Sequence, residues 1–218
     1  MKLLTTCLAM AMVMIPSAVD AKAKKKQPAK QLTAMEIVTK VNNHWQENNK
    51  PEVKAFWDDA VYFTGNMEAY RLTGNAAYLE FSDKWARHNR WSGATEKDAS
   101  KWKYKNYGEG QQYVLFGDWQ TCFQTYLDMY AMNPDPYKIA RVTEVMNHEC
   151  SMNVADFWWW ADALYMAMPV MSKMYAVTGD TKYLDKMYAN FMYADKLMFD
   201  SEDKLYFRDA KYVYPKHK

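Results

Sequence analysis

The sequence predicts an all-α protein built from stacked helical hairpins. Only 7 glycines and 7 prolines occur in 218 residues, and apolar residues recur mostly at helical spacing. Long runs that alternate apolar and polar residues, as half-buried strands would, are absent from the sequence. Two long segments also resemble one another, which is typical of helical-repeat architectures.

The N-terminal residues predict export. A short basic start, the apolar stretch LLTTCLAMAMVMI and the small residues Val19 and Ala21 together predict a signal peptide over residues 1–21. The apolar stretch has 13 residues, fewer than the roughly 20 that cross a bilayer. Cys7 lies inside this stretch rather than after it, which disfavours a lipid anchor. We therefore expect a periplasmic or secreted protein with no membrane contact after cleavage.

Charge is distributed unevenly along the chain. Residues 22–31 contain five lysines and no acid, and we interpret them as a basic linker. Residues 32–218 contain 22 basic and 25 acidic residues. A basic tail beside a mildly acidic body does not resemble a nucleic-acid interface, so we expect no nucleic-acid partner.

Helices are predicted along most of residues 32–218. In the first, Met35, Val38, Val41 and Trp45 share one face, and Thr33 is a plausible N-cap. Further helices are predicted near residues 57–71, 76–90, 119–132, 136–150, 160–177 and 181–198.

The repeat relates segment 57–85 to segment 160–191. At their starts, the matched residues are Trp57, Asp59, Ala60 and Tyr62 with Trp160, Asp162, Ala163 and Tyr165. Each segment is predicted to form a helix, a tight turn and a second helix. Gly74 and Gly179 follow the first helix and suit left-handed C-caps, while Asn75 and Asp180 suit the next N-caps.

Three acids begin successive hairpins. Asp59 and Asp162 occupy matched positions, and Asp118 opens a weaker third copy at GDWQTCFQTYLDMY. Stacked hairpins bring equivalent positions to one face of a solenoid or toroid. The acids would therefore lie on a common surface. The alternative is that each acid only caps a helix or complements its dipole.

Asp162 is the strongest candidate for acid–base chemistry. Trp158, Trp159, Trp160 and Met166 surround it in the sequence, and desolvation by such neighbours would raise the carboxyl pKa. A second carboxylate, Asp118, would separate the titrations of the two groups further. The alternative is that this Trp- and Met-rich stretch is simply a core helix.

Other chemistries lack their signals. The sequence contains no G-x-S-x-G, H-E-x-x-H, C-x-x-C or G-x-G-x-x-G motif. Its four histidines lie far apart, so we expect no metal site. Cys122 and Cys150 match no zinc-site spacing, and whether they form a disulfide stays open.

Three strings carry a family resemblance: WWWADALYMAMPVMSKMYAVTGDTKYLDKMY, WDDAVYFTGNMEAYRLTGNAAYL and GDWQTCFQTYLDMY. They resemble the unsaturated rhamnogalacturonyl hydrolases of glycoside hydrolase family 105 and, more distantly, the unsaturated glucuronyl hydrolases of family 88. The likeness covers residues 32–218. It implies an (α/α)6 toroid that removes 4,5-unsaturated uronic acid from the non-reducing end of lyase-generated pectin or rhamnogalacturonan oligosaccharides, with no metal or organic cofactor.

The resemblance also implies roles for single residues. The family's catalytic aspartate, which protonates the vinyl ether double bond before water is added, matches Asp162. The assisting aspartate matches Asp118. We expect Trp57, Asp59 and Trp160, which begin the matched hairpins, to contact the substrate.

The family pattern continues beyond the last string into a W-x-R-G-N-G-W-like motif that this sequence lacks. We therefore expect residues 32–218 to be the N-terminal half of the toroid, with low stability or self-association and weak activity. Two alternatives stay open. One is another toroid enzyme such as a sugar epimerase, which the sparse histidines disfavour. The other is a non-catalytic carbohydrate-binding repeat protein or an inactive truncated one.

Overall fold

The computed structural model describes residues 31–212. The predicted signal peptide (1–21) and all but the last residue of the predicted linker (22–31) lie outside the described residues. Within them, no helix combines the length and the apolar character that crossing a membrane requires.

The described chain is helical, which confirms the all-α prediction. The helices are α1 (Ala34–Asn48), α2 (Trp57–Thr73), α3 (Ala76–His88), α4 (Gly117–Met132), α5 (Pro136–Ser151), α6 (Ala163–Met166), α7 (Met168–Thr178) and α8 (Lys182–Met198). A two-stranded antiparallel ribbon, β1 (Phe199–Asp200) and β2 (Leu205–Tyr206), pairs Phe199 with Tyr206. Short 3-10 turns occupy Ala99–Lys101 and Ala210–Tyr212.

Helices α2, α4 and α7 form the inner layer, and α3, α5 and α8 form the outer layer of three hairpins. Helix α4 lies between α2 and α7 and is buried from Gly117 through Met129. Helix α1 packs on α2 and precedes the first hairpin. Three such hairpins amount to half of a six-hairpin ring.

The start of α1 confirms the predicted N-cap. The Thr33 hydroxyl accepts a hydrogen bond from the Glu36 backbone N–H at 3.2 Å, and the Glu36 carboxylate accepts one from the Thr33 N–H at 2.8 Å. This reciprocal capping box satisfies two backbone donors that a helix start otherwise leaves unpaired.

The two repeats have matching turns, as predicted, and Asn75 is the N-cap of α3. The predicted N-cap Asp180 is wrong, because the residue at the N-cap of α8 is Thr181. Gly74 and Gly179 end α2 and α7 at φ values of 68° and 72°, the left-handed region that favours glycine. The Asn75 and Asp180 side chains each accept a hydrogen bond from the backbone N–H two residues on, at 3.1 and 3.0 Å. The sequence repeat therefore corresponds to a structural repeat.

A second matched pair fixes the outer layer. Tyr78 of α3 donates a hydrogen bond to Asn43 of α1 at 2.6 Å, and Tyr183 of α8 donates one to Asn147 of α5 at 2.7 Å. In each case a tyrosine in the first turn of an outer helix connects that helix to an earlier one, α1 for α3 and α5 for α8.

The predicted single helix over residues 160–177 is wrong. The Trp-rich segment is not helical, Trp160 forms an isolated antiparallel bridge with Asp209, and α6 ends at Met166 before α7 begins. Pro169 explains the interruption, because it has no N–H to donate and its ring clashes with the preceding turn. Asp162, the third residue of the predicted helix, instead occupies the N-cap position of the four-residue α6.

Candidate active site

A cleft with a volume of about 670 Å³ lies beside the N-terminal ends of α2 and α4 and the α6 turn. Its aromatic lining includes Trp57, Phe116, Trp159 and Trp160. Flat aromatic faces of this kind suit the apolar faces of sugar rings, while the polar groups of the cleft can fix orientation.

Asp118 is the buried acid of the cleft. It lies in the first turn of α4 and is 3% exposed. Burial, reinforced by the nearby charge of Asp162, raises its pKa from 3.8 to about 7. A carboxyl with this pKa holds a proton close to neutrality.

Packing around Gly117 explains this burial. A Cβ atom at Gly117 would lie 3.3 Å from the Trp160 ring, tighter than most such contacts. The absence of a side chain there lets the indole cover the start of α4, where Asp118 lies. Trp160 is itself 6% exposed and packs against Phe116, with ring centroids 4.6 Å apart.

Asp162 lines the same cleft but is exposed. Its backbone carbonyl accepts hydrogen bonds from the Tyr165 and Met166 N–H groups, each at 3.0 Å. We predicted that the tryptophans desolvate Asp162. This prediction is wrong, because Asp162 is exposed and the acid buried beside Trp160 is Asp118. Trp159 and Trp160 line the same cleft as Asp162, but they lie on a non-helical segment and the Asp162 side chain stays exposed.

Neither acid makes a side-chain capping hydrogen bond. The N-cap of α4 is Phe116 rather than Asp118, and Asp162 occupies the N-cap position of α6 without a hydrogen bond from its side chain to the helix. Asp118, in the first turn of α4, is still placed to complement the helix dipole. The two carboxyls face a cleft, and in the described residues neither has a hydrogen-bonded or ion-paired side-chain partner.

Of the five predicted site residues, the structure brings Trp57, Trp160, Asp118 and Asp162 to one cleft, and Asp59 lies outside its described lining. Asp59 follows Trp57 by two helical positions, so its side chain is rotated about 200° around the α2 axis. The prediction that Asp59 contacts substrate from this cleft therefore finds no support in the geometry.

Three cations that we did not predict also line the cleft: Lys105, Arg208 and Lys211. Asp209 is 3% exposed and organises the last two, accepting hydrogen bonds from the Arg208 guanidinium at 2.6 Å and the Lys211 backbone N–H at 2.8 Å. The Ala161 N–H donates to the Arg208 carbonyl at 2.7 Å. This pairing places the basic segment beside Trp160 and Asp162. The segment FRDAK carries no periodic signal, so only the pairing reveals its role.

A fourth lining acid, Asp156, is held ionised. Burial opposes its charge, but hydrogen bonds from the Tyr104 hydroxyl at 2.7 Å and from the Lys105 ammonium outweigh burial and lower the Asp156 pKa. Lys105 approaches its carboxylate to 3.1 Å. Asp156 is therefore an anion at neutral pH and is unsuited to donate a proton.

Metal ligation has no visible basis in the described part of the chain. Residues 31–212 contain no cluster of three or more His, Cys, Asp or Glu side chains able to hold a metal ion. Cys122 and Cys150 are both free thiols rather than a disulfide.

Comparison of the sequence with known protein families identifies the family of this chain. The family described as Glycosyl Hydrolase Family 88 matches residues 28–218. The chain belongs to this family. The resemblance seen in the sequence to this group of hydrolases is thereby confirmed.

Two curated relatives carry the same name. An unsaturated 3S-rhamnoglycuronyl hydrolase of Formosa agariphila is 25% identical over 98% of this chain and 55% of its own length. A protein of the same name from Alteromonas sp. is 44% identical over 25% of this chain and 13% of its own length.

Solved structures support the fold. A glycosyl hydrolase family 88 protein from Bacteroides vulgatus is 52% identical with a TM-score of 0.82, over 84% of this chain and 53% of that one. A protein named as a polysaccharide lyase is 53% identical with a TM-score of 0.81, over 84% and 52%. The chain thus spans about half the length of these relatives, which agrees with three hairpins of an (α/α)6 toroid.

Proposed function

We propose that this family 88 chain contributes the acid–base half of a hydrolase that removes 4,5-unsaturated uronic acid from the non-reducing end of pectin or rhamnogalacturonan fragments. The observation that carries the proposal is the pair Asp118 and Asp162 in one aromatic cleft. Asp118 is buried with a pKa of about 7, and Asp162 is open to a ligand.

The two carboxyls have different roles in the transfer of a proton to the substrate. Burial lets Asp118 hold a proton close to neutrality, and the nearby charge of Asp162 strengthens this effect. We assign the transfer to Asp162, because the side chain open to the cleft is the one that reaches a bound sugar. Asp118 acts as the assisting acid, since burial lets it hold a proton close to neutrality beside Asp162.

The reaction is a hydration followed by ring opening. Asp162 donates a proton to C4 of the vinyl ether while the positive charge develops at C5. Water then attacks C5, and the carboxylate takes back a proton from that water. The product is a hemiketal that opens and releases the neighbouring sugar, so one water is consumed and the acid is regenerated.

The cations support an anionic substrate. Arg208 and Lys211 lie on the segment that pairs beside Trp160, so they line the cleft close to the proposed acid. An unsaturated uronate carries its carboxylate on C5, next to the double bond. A sugar placed with that double bond at Asp162 would direct its carboxylate toward this basic segment, and guanidinium groups match carboxylates well.

The test follows the ultraviolet absorbance of the conjugated double bond in lyase-generated unsaturated disaccharides. It uses the protein expressed from its complete reading frame, the Asp162→Asn variant and the Asp59→Asn variant. Asp59 is the matched control, since it occupies the equivalent repeat position outside the cleft lining. We expect absorbance to fall with the unchanged protein and with Asp59→Asn, and Asp162→Asn to lose at least about a hundred-fold in rate.

Two results would contradict the proposal. Absorbance that rises on intact polysaccharide would indicate a lyase, the activity named for one structural neighbour. Absorbance that stays constant on every unsaturated disaccharide would leave a non-catalytic carbohydrate-binding protein.

We also propose a periplasmic or secreted location, supported by the signal-peptide pattern of residues 1–21. N-terminal sequencing of the protein recovered from cell fractions would test it. A mature protein beginning after Ala21 is expected, and retention of Met1 in the cytoplasmic fraction would contradict it.

A further inference from the structure

The break between α6 and α7 leaves two backbone carbonyls without helical partners. In a continuous helix the Tyr165 carbonyl would accept a hydrogen bond from residue 169, but Pro169 has no N–H. The Met166 carbonyl would accept one from Val170, whose N–H instead donates to Ala167 at 3.0 Å. An unpaired buried carbonyl is costly, and Met166 is buried, so its carbonyl in particular needs another donor.

Gln124 supplies both donors. Its side-chain Nε2 donates to the Tyr165 carbonyl at 2.7 Å and to the Met166 carbonyl at 3.0 Å. The primary amide has two N–H groups, and each one meets a carbonyl. Gln124 is 5% exposed, which makes these hydrogen bonds costly to replace with water.

This contact joins the two elements that carry the acids. Gln124 lies on α4, which begins with Asp118 in its first turn, and its amide holds the α6 turn that Asp162 leads. Helix α6 has four residues, too few to hold a position by helical hydrogen bonding alone. Its placement relative to α4 must therefore come from tertiary contacts.

We propose that Gln124 is a positioning residue that fixes Asp162 relative to Asp118. The inference rests on the proposed function for its catalytic consequence, but its structural part is independent of it. The amide compensates for Pro169 and so keeps α6 in one register against α4. Without it, the α6 turn would sample other positions and the two carboxyls would lose their fixed separation.

The test compares Gln124→Met with Gln120→Met in the protein from its complete reading frame. Methionine keeps the length of glutamine and removes the amide. Gln120 is the matched control: it lies one turn earlier on α4, is 1% exposed and donates to Glu149 at 2.9 Å rather than to α6. Both variants lose a buried hydrogen-bonding amide, so loss of stability alone does not distinguish them.

The kinetic result should separate positioning from stability. At a temperature where both variants are folded, we expect Gln124→Met to lower kcat by about ten- to a hundred-fold with KM changed less than about three-fold. Its pH–rate profile should also shift, because the coupling of the two carboxyls depends on their separation. Gln120→Met should keep kcat within about three-fold. Equal losses in both variants would overturn the proposal.

Amide hydrogen exchange tests the structural part without any activity. Backbone amides of residues 163–167 should exchange at least about ten-fold faster in Gln124→Met than in Gln120→Met. Unchanged exchange there would overturn the inference. If the unchanged protein hydrolyses no unsaturated sugar while exchange still responds to Gln124→Met, the proposed function fails and the positioning of α6 by Gln124 stands.

Discussion

Asp118 and Asp162 line one cleft, yet Asp118 is withdrawn from solvent and Asp162 is not. The difference arises from packing, because the Trp160 indole covers the start of α4 where Gly117 leaves room for it. The charge of Asp162 then adds to the effect of burial on the Asp118 pKa. Burial thus raises the proton affinity of Asp118, which suits it to hold a proton close to neutrality beside the exposed Asp162.

The effect of the Asp162 charge on the pKa of Asp118 should be measurable. In Asp162→Asn we expect the Asp118 pKa to fall below about 7, because burial would remain and the repelling charge would be gone. Carboxyl-carbon NMR titration would measure it, with Asp59→Asn as the control. An unchanged Asp118 titration in Asp162→Asn would show that the two groups do not interact.

Burial of Asp118 should also make stability depend on pH. Its folded pKa of about 7 lies above the ordinary value of 3.8, so between these values the folded chain binds the proton and the unfolded chain releases it. The free energy of unfolding should therefore fall as pH rises from about 4 to about 7. Asp118→Asn should flatten this dependence by about 2 kcal/mol, allowing for solvent screening. Urea unfolding at several pH values would measure it, and an unaltered slope would contradict the assignment.

Glu149, a buried acid outside the cleft, should also make the free energy of unfolding depend on pH. Glu149 is fully buried, and burial raises its pKa to about 7 although Gln120 and Asn190 donate to its carboxylate at 2.9 Å each. The sign is again a stability that falls as pH rises toward the folded pKa. Glu149→Leu would leave two buried amides unpaired and should cost about 2–4 kcal/mol.

Glu149→Gln provides the matched comparison for that variant. The Asn190 Oδ1 atom has no partner within residues 31–212, so rotation of its amide would let it accept from the new glutamine. We therefore expect Glu149→Gln to stay within about 1 kcal/mol of the unchanged protein at pH 7 and to lose part of the pH dependence. Urea unfolding of both variants at pH 5 and pH 7 would decide. Equal destabilisation by leucine and glutamine would show that the hydrogen bonds contribute little.

The sequence repeat predicted local structure well. The turns at Gly74 and Gly179 depend on the residues at the turn itself: glycine adopts the left-handed conformation, and the polar residue after it accepts a hydrogen bond from the next helix. Periodicity and spacing were therefore sufficient to predict these turns. The repeat also brought Asp162 forward as a site residue. Asp59, at the matched position on α2, lies outside the described lining of the cleft, so the repeat alone does not place both acids in one site.

Features set by long-range pairing could not be predicted in this way. The extended path of the Trp-rich segment depends on its bridge to Asp209, almost fifty residues later. That bridge also brings Arg208 to the cleft. Which carboxyl is buried depends on the Trp160 ring meeting Gly117. None of these contacts produces a periodic pattern in the sequence, because each joins segments that are far apart along the chain.

The inner helices are tied by one buried carboxylate. Asp128 of α4 is 7% exposed and contacts Arg71 of α2 at 2.8 Å and Lys173 of α7 at 2.7 Å. Removing the buried anion takes the shared partner from Arg71 and Lys173, whose side chains are 42% and 27% exposed. We expect Asp128→Ala to lower the free energy of unfolding by about 1–2 kcal/mol, less than for a fully buried ion pair because water reaches both cations.

The matched control is an exposed ion pair between Asp58 of α2 and Lys54, which precedes that helix. Asp58 approaches Lys54 to 2.9 Å with both side chains nearly half exposed, so Asp58→Ala should cost less than about 1 kcal/mol. Urea denaturation of the two variants at neutral pH measures both effects. Asp128 joins all three inner helices, and the contrast should therefore also appear as faster amide exchange across α2, α4 and α7 in Asp128→Ala alone. Similar losses from both substitutions would mean that these helices are held by apolar packing and that the charges at Asp128 are incidental.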